Sequence, residues 1–150
     1  MTDAARHVQN LVYRYAELID LGDFDGLGDL LAHAEVGAGG TPGSLTGHDA
    51  VVAMFTGTTR RYPDGTPRTK HVTTNCIVEV DEAAGTAICR SYFTVLQEVA
   101  GLPLQPVVAG RYHDRFVLAD GTWRFAERRF FLDLVGDVSQ HLLTPLPDRP

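Results

Sequence analysis

Residues 69–134 read TKHVTTNCIVEVDEAAGTAICRSYFTVLQEVAGLPLQPVVAGRYHDRFVLADGTWRFAERRFFLDL, and the period of this stretch decides the fold. Apolar and polar side chains alternate through four runs, about 69 to 80, 85 to 98, 106 to 118 and 122 to 134, as in strands with one buried face. Between them stand Asp81-Glu82-Ala83-Ala84, Ala100-Gly101-Leu102-Pro103 and Ala119-Asp120-Gly121, of which Asp-Gly is the strongest hairpin signal. With no helical period between the runs, they predict a four-stranded antiparallel meander.

Upstream the period is helical. Val8, Leu11, Val12, Tyr15, Ala16 and Ile19 recur on one face of a helix that opens at Asp3 and stops at Gly22. Asp23 is placed to cap a second, short helix in FDGLGDLLAHAEV, residues 24–36. Residues 37–47, GAGGTPGSLTG, read as a loop with a short strand about Ser44 to Thr46. A third helix, His48 to Arg61, runs through Ala50, Val51, Met54 and Phe55 and ends at Tyr62-Pro63-Asp64-Gly65. Three helices followed by a meander predict an α+β fold, with the helices on one face of a curved sheet enclosing a pocket. A single domain over 1–150 is expected, with its core at about 4–134 and a C-terminal tail at 135–150. The last ten residues, HLLTPLPDRP, read as an extended tail that covers a pocket, covers a neighbouring subunit, or is disordered.

Composition narrows the function. The 150 residues are 44% hydrophobic and carry 13 basic against 19 acidic side chains, a net charge of −6 with no Lys/Arg run, which argues against nucleic acid. No apolar stretch approaches the roughly 20 residues of a membrane span, and the start, MTDAARHVQN, does not read as a signal peptide, so a cytoplasmic protein without membrane contact is expected. Cys76 and Cys89 sit in apolar, β-branched stretches and read as core thiols. The histidines His7, His33, His48, His113 and His141 show no ligand spacing, and Asp20, Asp23 and Asp25 lack the closing glutamate of a calcium loop, so no metal is expected. No nucleotide-binding glycine motif and no G-x-S-x-G is present, so no cofactor is expected either.

Four residues look out of place. Asp20 follows Ala16 by one helical turn, on the buried stripe and at the helix C-terminus, where burial and the helix dipole both disfavour a carboxylate without a partner. His71 lies on the polar face of the first strand, with Thr69, Thr73, Asn75 and Ile77, while Val72, Cys76, Val78 and Val80 share the other. An imidazole held by a carboxylate has a set tautomer and can take a proton from carbon. Tyr15 lies on the stripe that faces the sheet. Strict alternation places Arg129 with Trp123 and Phe125, so an inward Arg128 requires a bulge near Ala126 or Glu127. Each also has a plainer reading: a solvated or capping Asp20, a surface or core His71, a packed Tyr15, an exposed Arg128.

The segments YRYAELIDLGDFDGL, TGHDAVVAMF, TKHVTTNCIVEV and GRYHDRFVLADGTWRFAERR, in this order, resemble the SnoaL-like branch of the nuclear transport factor 2-like superfamily over about Ala4 to Leu134. The resemblance implies a cone-shaped α+β barrel, with three helices in the concavity of a strongly curved mixed sheet, and a homodimer or homotrimer. It is similar to scytalone dehydratase, hexachlorocyclohexane dehydrochlorinase and bile-acid 7α-dehydratase relatives, several of which use an Asp-His dyad. Asp20 and His71 fall where these relatives place that dyad, Tyr15 where the bile-acid enzyme has its tyrosine, and Arg128 where the last strand carries an arginine. A second pocket histidine is lacking at the scytalone dehydratase position, unless His113 turns inward.

The expected function is a cofactor-independent lyase acting on a small hydrophobic cyclic substrate such as a steroid, terpenoid or polyketide. His71 is then the base, Asp20 its orienting partner, Tyr15 a donor to the departing oxygen and Arg128 a stabiliser of negative charge. Val12, Leu30, Phe55, Phe93, Tyr112, Phe116 and Phe130 are the expected apolar liners. A polyketide cyclase or ketosteroid-type isomerase, and a non-catalytic ligand-binding or assembly subunit, are the alternatives.

Overall fold

The structure is a computed structural model and describes residues 3–147; Met1, Thr2 and residues 148–150 of the expected tail lie outside the described residues. Helix α1 spans Asp3–Asp20, and Val8, Val12, Tyr15, Ala16, Leu18 and Ile19 form its buried face. Covering one aliphatic side chain of this kind stabilises the fold by about 1.5–3 kcal/mol, so this stripe rather than intrinsic propensity holds the helix. Gly22, at φ 71°, ends it: the Gly22 N–H donates to Ile19 O at 3.0 Å and the Asp23 N–H to Leu18 O at 2.9 Å. Asp23 then caps α2, Phe24–Leu30, by accepting from the Gly26 N–H at 2.8 Å.

The second helix is shorter than its sequence predicts, because Glu35–Ala38 leave it to form strand β1. This strand runs parallel to the last one, with Glu35 opposite Glu127 and Ala38 opposite Phe130. The short strand expected about Ser44 to Thr46 is reduced to a single bridge between Leu45 and Val36. Helix α3 covers His48–Thr58.

Strands β2 (Thr69–Asp81), β3 (Thr86–Val99), β4 (Leu102–Ala119) and β5 (Thr122–Val135) form the expected meander. The sheet order is β1-β5-β4-β3-β2: it is mixed, as the family resemblance implied, and adds β1 to the four antiparallel strands that the period alone predicted. The fold is α+β: a curved, unclosed sheet cups the helices, and one buried cluster joins the stripe of α1 to the inner face of β3, β4 and β5.

Two bulges decide which side chains face inward. On β2, Asn75 and Cys76 together oppose Ser91, and Asn75 takes φ 53°. Inward positions are therefore odd-numbered before the bulge (Thr69, His71, Thr73) and even-numbered after it (Cys76, Val78, Val80), so the two predicted faces merge into one. On β5, Arg115 pairs with Glu127 and Phe116 with Phe125, which leaves Ala126 as an extra residue and turns Arg128 inward with Trp123 and Phe125.

Candidate active site

Between the helices and the inner face of the sheet lies a cavity of about 610 Å³. Phe55, Phe93, Tyr112 and Phe130 line it as expected, joined by aliphatic side chains from every layer, among them Ile19, Leu45 and Val95. Val12, Leu30 and Phe116 do not line it. Val12 and Phe116 are enclosed in the core, the latter with its ring 4.6 Å from that of Phe125, and Leu30, the last residue of α2, packs against the core. The three have suitable hydrophobicity but pack into the core instead of facing the cavity.

His71 stands on the cavity wall, where the C-terminus of α1 meets the start of β2. Its Nδ1 is 2.6 Å from Asp20 Oδ1, and the side chains are only 5% and 9% exposed. Asp20 accepts two further hydrogen bonds at 2.8 Å, from the His71 backbone N–H and from Thr69 Oγ1. Three donors compensate a carboxylate at the unfavourable end of a helix. Because a carboxylate only accepts, the proton of the neutral ring resides on Nδ1, and Nε2 keeps the lone pair for the cavity.

Tyr15 also lines the cavity, edge-on to His71 with ring centroids 6.5 Å apart. Burial pushes its phenol up from 10.0, only partly offset by the nearby Arg128 charge, so the hydroxyl stays protonated.

Arg128 takes a different place from the expected one. It is fully enclosed and forms a bidentate pair with Asp114, Nε to Oδ1 at 2.9 Å and Nη2 to Oδ2 at 2.7 Å. Its guanidinium carbon lies 3.9 Å from the ring centre of Tyr112 and 4.2 Å from that of Tyr15, so aromatic faces as well as the carboxylate surround the charge. Burial opposes that charge, but Asp114 outweighs it and holds the guanidinium above its ordinary range. Arg128 thus lies behind the cavity wall and supports Tyr15 and Tyr112 rather than meeting a ligand.

Sequence reasoning missed His141. Residues 137–147 cover the cavity, the first of the three arrangements expected of the tail, and Val138, His141, Leu142, Thr144 and Leu146 line it. Backbone hydrogen bonds fasten the segment: Arg60 N–H to His141 O and Leu143 N–H to Thr58 O, each 2.9 Å. Gln97 Nε2 donates to Gln140 O at 3.0 Å and to Pro67 O at 3.1 Å. The apolar Val138 and Leu142 around His141 are the signal that could have marked this segment as packed. His113 is exposed, its ring 4.7 Å from that of Phe131, so it is not a second pocket histidine.

Cys76 and Cys89 are free thiols. Among the described residues, no three His, Cys, Asp or Glu side chains gather as metal ligands would, and no helix is long and apolar enough to cross a membrane.

A cupped mixed sheet with helices in its concavity and a buried acid-imidazole pair on the cavity wall places the molecule in a class, and comparison identifies it. The SnoaL-like domain family matches residues 1–129, and the chain belongs to that family. Among solved structures it is similar to a variant of Rv3472 of Mycobacterium tuberculosis, a protein of unknown function, at 25% identity over 87% of this chain and 72% of that one, TM-score 0.69. A candidate scytalone dehydratase of Novosphingobium aromaticivorans shares 23% identity over 89% and 87% of the two chains, TM-score 0.68. Aln2 of a Streptomyces species shares 22% over 87% and 91%, TM-score 0.67. No curated protein matches the sequence.

Proposed function

We propose that this chain is a dehydratase-type lyase acting on a small, largely apolar cyclic molecule. The observation that carries the reading is the 2.6 Å contact of His71 Nδ1 with Asp20, on the wall of an apolar cavity large enough for such a molecule. Dehydratase- or cyclase-type chemistry is in keeping with the family and with the candidate scytalone dehydratase on the same fold.

In this reading His71 Nε2 removes a proton from a carbon next to an activating group. The freed electron pair becomes the new C=C bond as the neighbouring C–O bond breaks. Asp20 stabilises the imidazolium, which returns its proton to the departing hydroxide, so water leaves and His71 ends neutral. The Tyr15 hydroxyl donates a hydrogen bond to the departing oxygen. Arg128 is a positioning residue for Tyr15, reaching the reaction only through that ring. Domains of this family commonly self-associate, and a homodimer or homotrimer is part of the proposal.

The test is incubation with a panel of β-hydroxylated cyclic ketones, followed by mass spectrometry for loss of one water. Turnover by the wild-type chain that is abolished in His71→Ala supports the reading; full turnover in His71→Ala overturns it.

A further inference from the structure

The cavity holds a second imidazole that this reaction does not use. His141 reaches it from the covering segment, with its ring 6.0 Å from that of His71 at an interplanar angle of 64°. The side chain is enclosed, and its Nδ1 has no hydrogen-bond partner among the described residues and no access to solvent. An enclosed imidazole with neither ring nitrogen hydrogen-bonded among the described residues is costly, and a core side chain of this size that served packing alone would be better made of carbon. Since Nδ1 is closed off, the nitrogen that can meet a cavity occupant is Nε2.

The surroundings limit what that occupant is. Among the described residues, no Asp, Glu, Lys or Arg side chain lines the cavity. Asp20 is turned to its three donors, and Arg128 is neutralised by Asp114. Burial, and after it the neighbouring His71, lower the His141 imidazole from 6.5 to about 4, so it offers a neutral hydrogen bond near pH 7 and no positive charge. A carboxylate or phosphate entering here would lose its hydration without gaining a counter-charge.

We infer that His141 is a substrate-binding residue, whose Nε2 hydrogen-bonds a hydroxyl or carbonyl oxygen of an uncharged ring compound held against the two neighbouring histidines. The inference rests on the cavity being the substrate site. It adds to the proposed function the neutrality of the ligand and the anchor for one of its oxygens. That anchor, beside His71, would decide which C–H of the ligand faces the base.

Binding to the full chain would be measured calorimetrically with three probes of one shape: 2-naphthol, naphthalene and 2-naphthoate. The expected order places 2-naphthol at least about tenfold tighter than the other two, with His141→Phe removing that preference while leaving naphthalene affinity within about twofold. In the wild-type chain labelled with ¹⁵N-histidine, 2-naphthol should shift the His141 Nε2 resonance and naphthalene should not. Binding of 2-naphthol no tighter than naphthalene, binding of 2-naphthoate as tight as 2-naphthol, an unchanged preference in His141→Phe, or a silent Nε2 resonance each overturns the inference. None of these measurements needs turnover, so the assignment of His71 as base stands or falls separately.

Discussion

His71 Nδ1 and Asp20 Oδ1 lie 2.6 Å apart although 51 positions separate them in the chain. A helix that ends at Asp20 and a strand that begins at Thr69 make the contact, and the backbone N–H of His71 donates to the same carboxylate. The pair is therefore held by main chain as well as side chain, which restricts the imidazole to one orientation.

Asp20→Asn keeps the shape of that carboxylate but removes the constraint that makes Nδ1 the protonated nitrogen. On an identified substrate, Asp20→Asn and His71→Ala should each lower kcat by about 10²- to 10⁴-fold, the range general-base catalysis supplies. Circular dichroism should show the fold retained. An Asp20→Asn variant with wild-type kcat would contradict the orienting role.

Arg128 and Asp114 are both fully buried, so removing either strands the other's charge. Arg128→Met should cost about 3–5 kcal/mol in urea denaturation, and the double variant Arg128→Met/Asp114→Leu should recover most of that loss. Equal losses in the single and double variants would mean that packing, not charge, dominates here.

His141 gives acid sensitivity of defined sign. Its imidazole titrates at about 4 in the fold against 6.5 ordinarily. Between these values the unfolded chain binds a proton that the folded chain does not, so stability is full above about pH 6.5 and falls as the pH drops towards 4. The shift of 6.5 − 4 = 2.5 corresponds to about 3 kcal/mol. Denaturation midpoints at pH 7 and pH 4 should therefore differ less in His141→Gln than in the wild type. An identical pH profile in the two proteins would refute this.

Gly22 allows α1 to end where Asp20 meets β2. Its φ of 71° strains any residue with a Cβ, and that Cβ would run into the Gly65 carbonyl oxygen. Gly22→Ala should cost at least about 2 kcal/mol and lower the melting temperature, a combination of backbone strain and steric overlap. An unshifted melting curve would show that the turn relaxes freely.

Much of the site was legible because its members break local patterns. Asp20 interrupts an apolar stripe at helical spacing, and His71 shares a strand face with Thr69, which also donates to Asp20. Even the inward turn of Arg128 could be stated conditionally, since alternation demanded a bulge and the structure has one at Ala126. The destination of Arg128 was not legible. Whether an inward arginine meets ligand or protein depends on Asp114, fourteen residues away on the neighbouring strand, and on which rings cover it.

Local periodicity determined the α+β class, the extent of α1, the Asp23 cap, the meander and the candidates Asp20, His71 and Tyr15. All of these follow from side chains that are neighbours along one helix or strand, where spacing dictates direction. Only the tertiary structure decided that Glu35–Ala38 pair with β5, that Arg128 is neutralised behind the cavity wall, and that His141 enters the cavity beside His71. Those outcomes depend on contacts between segments far apart in the chain, and such contacts leave no period to read in either segment.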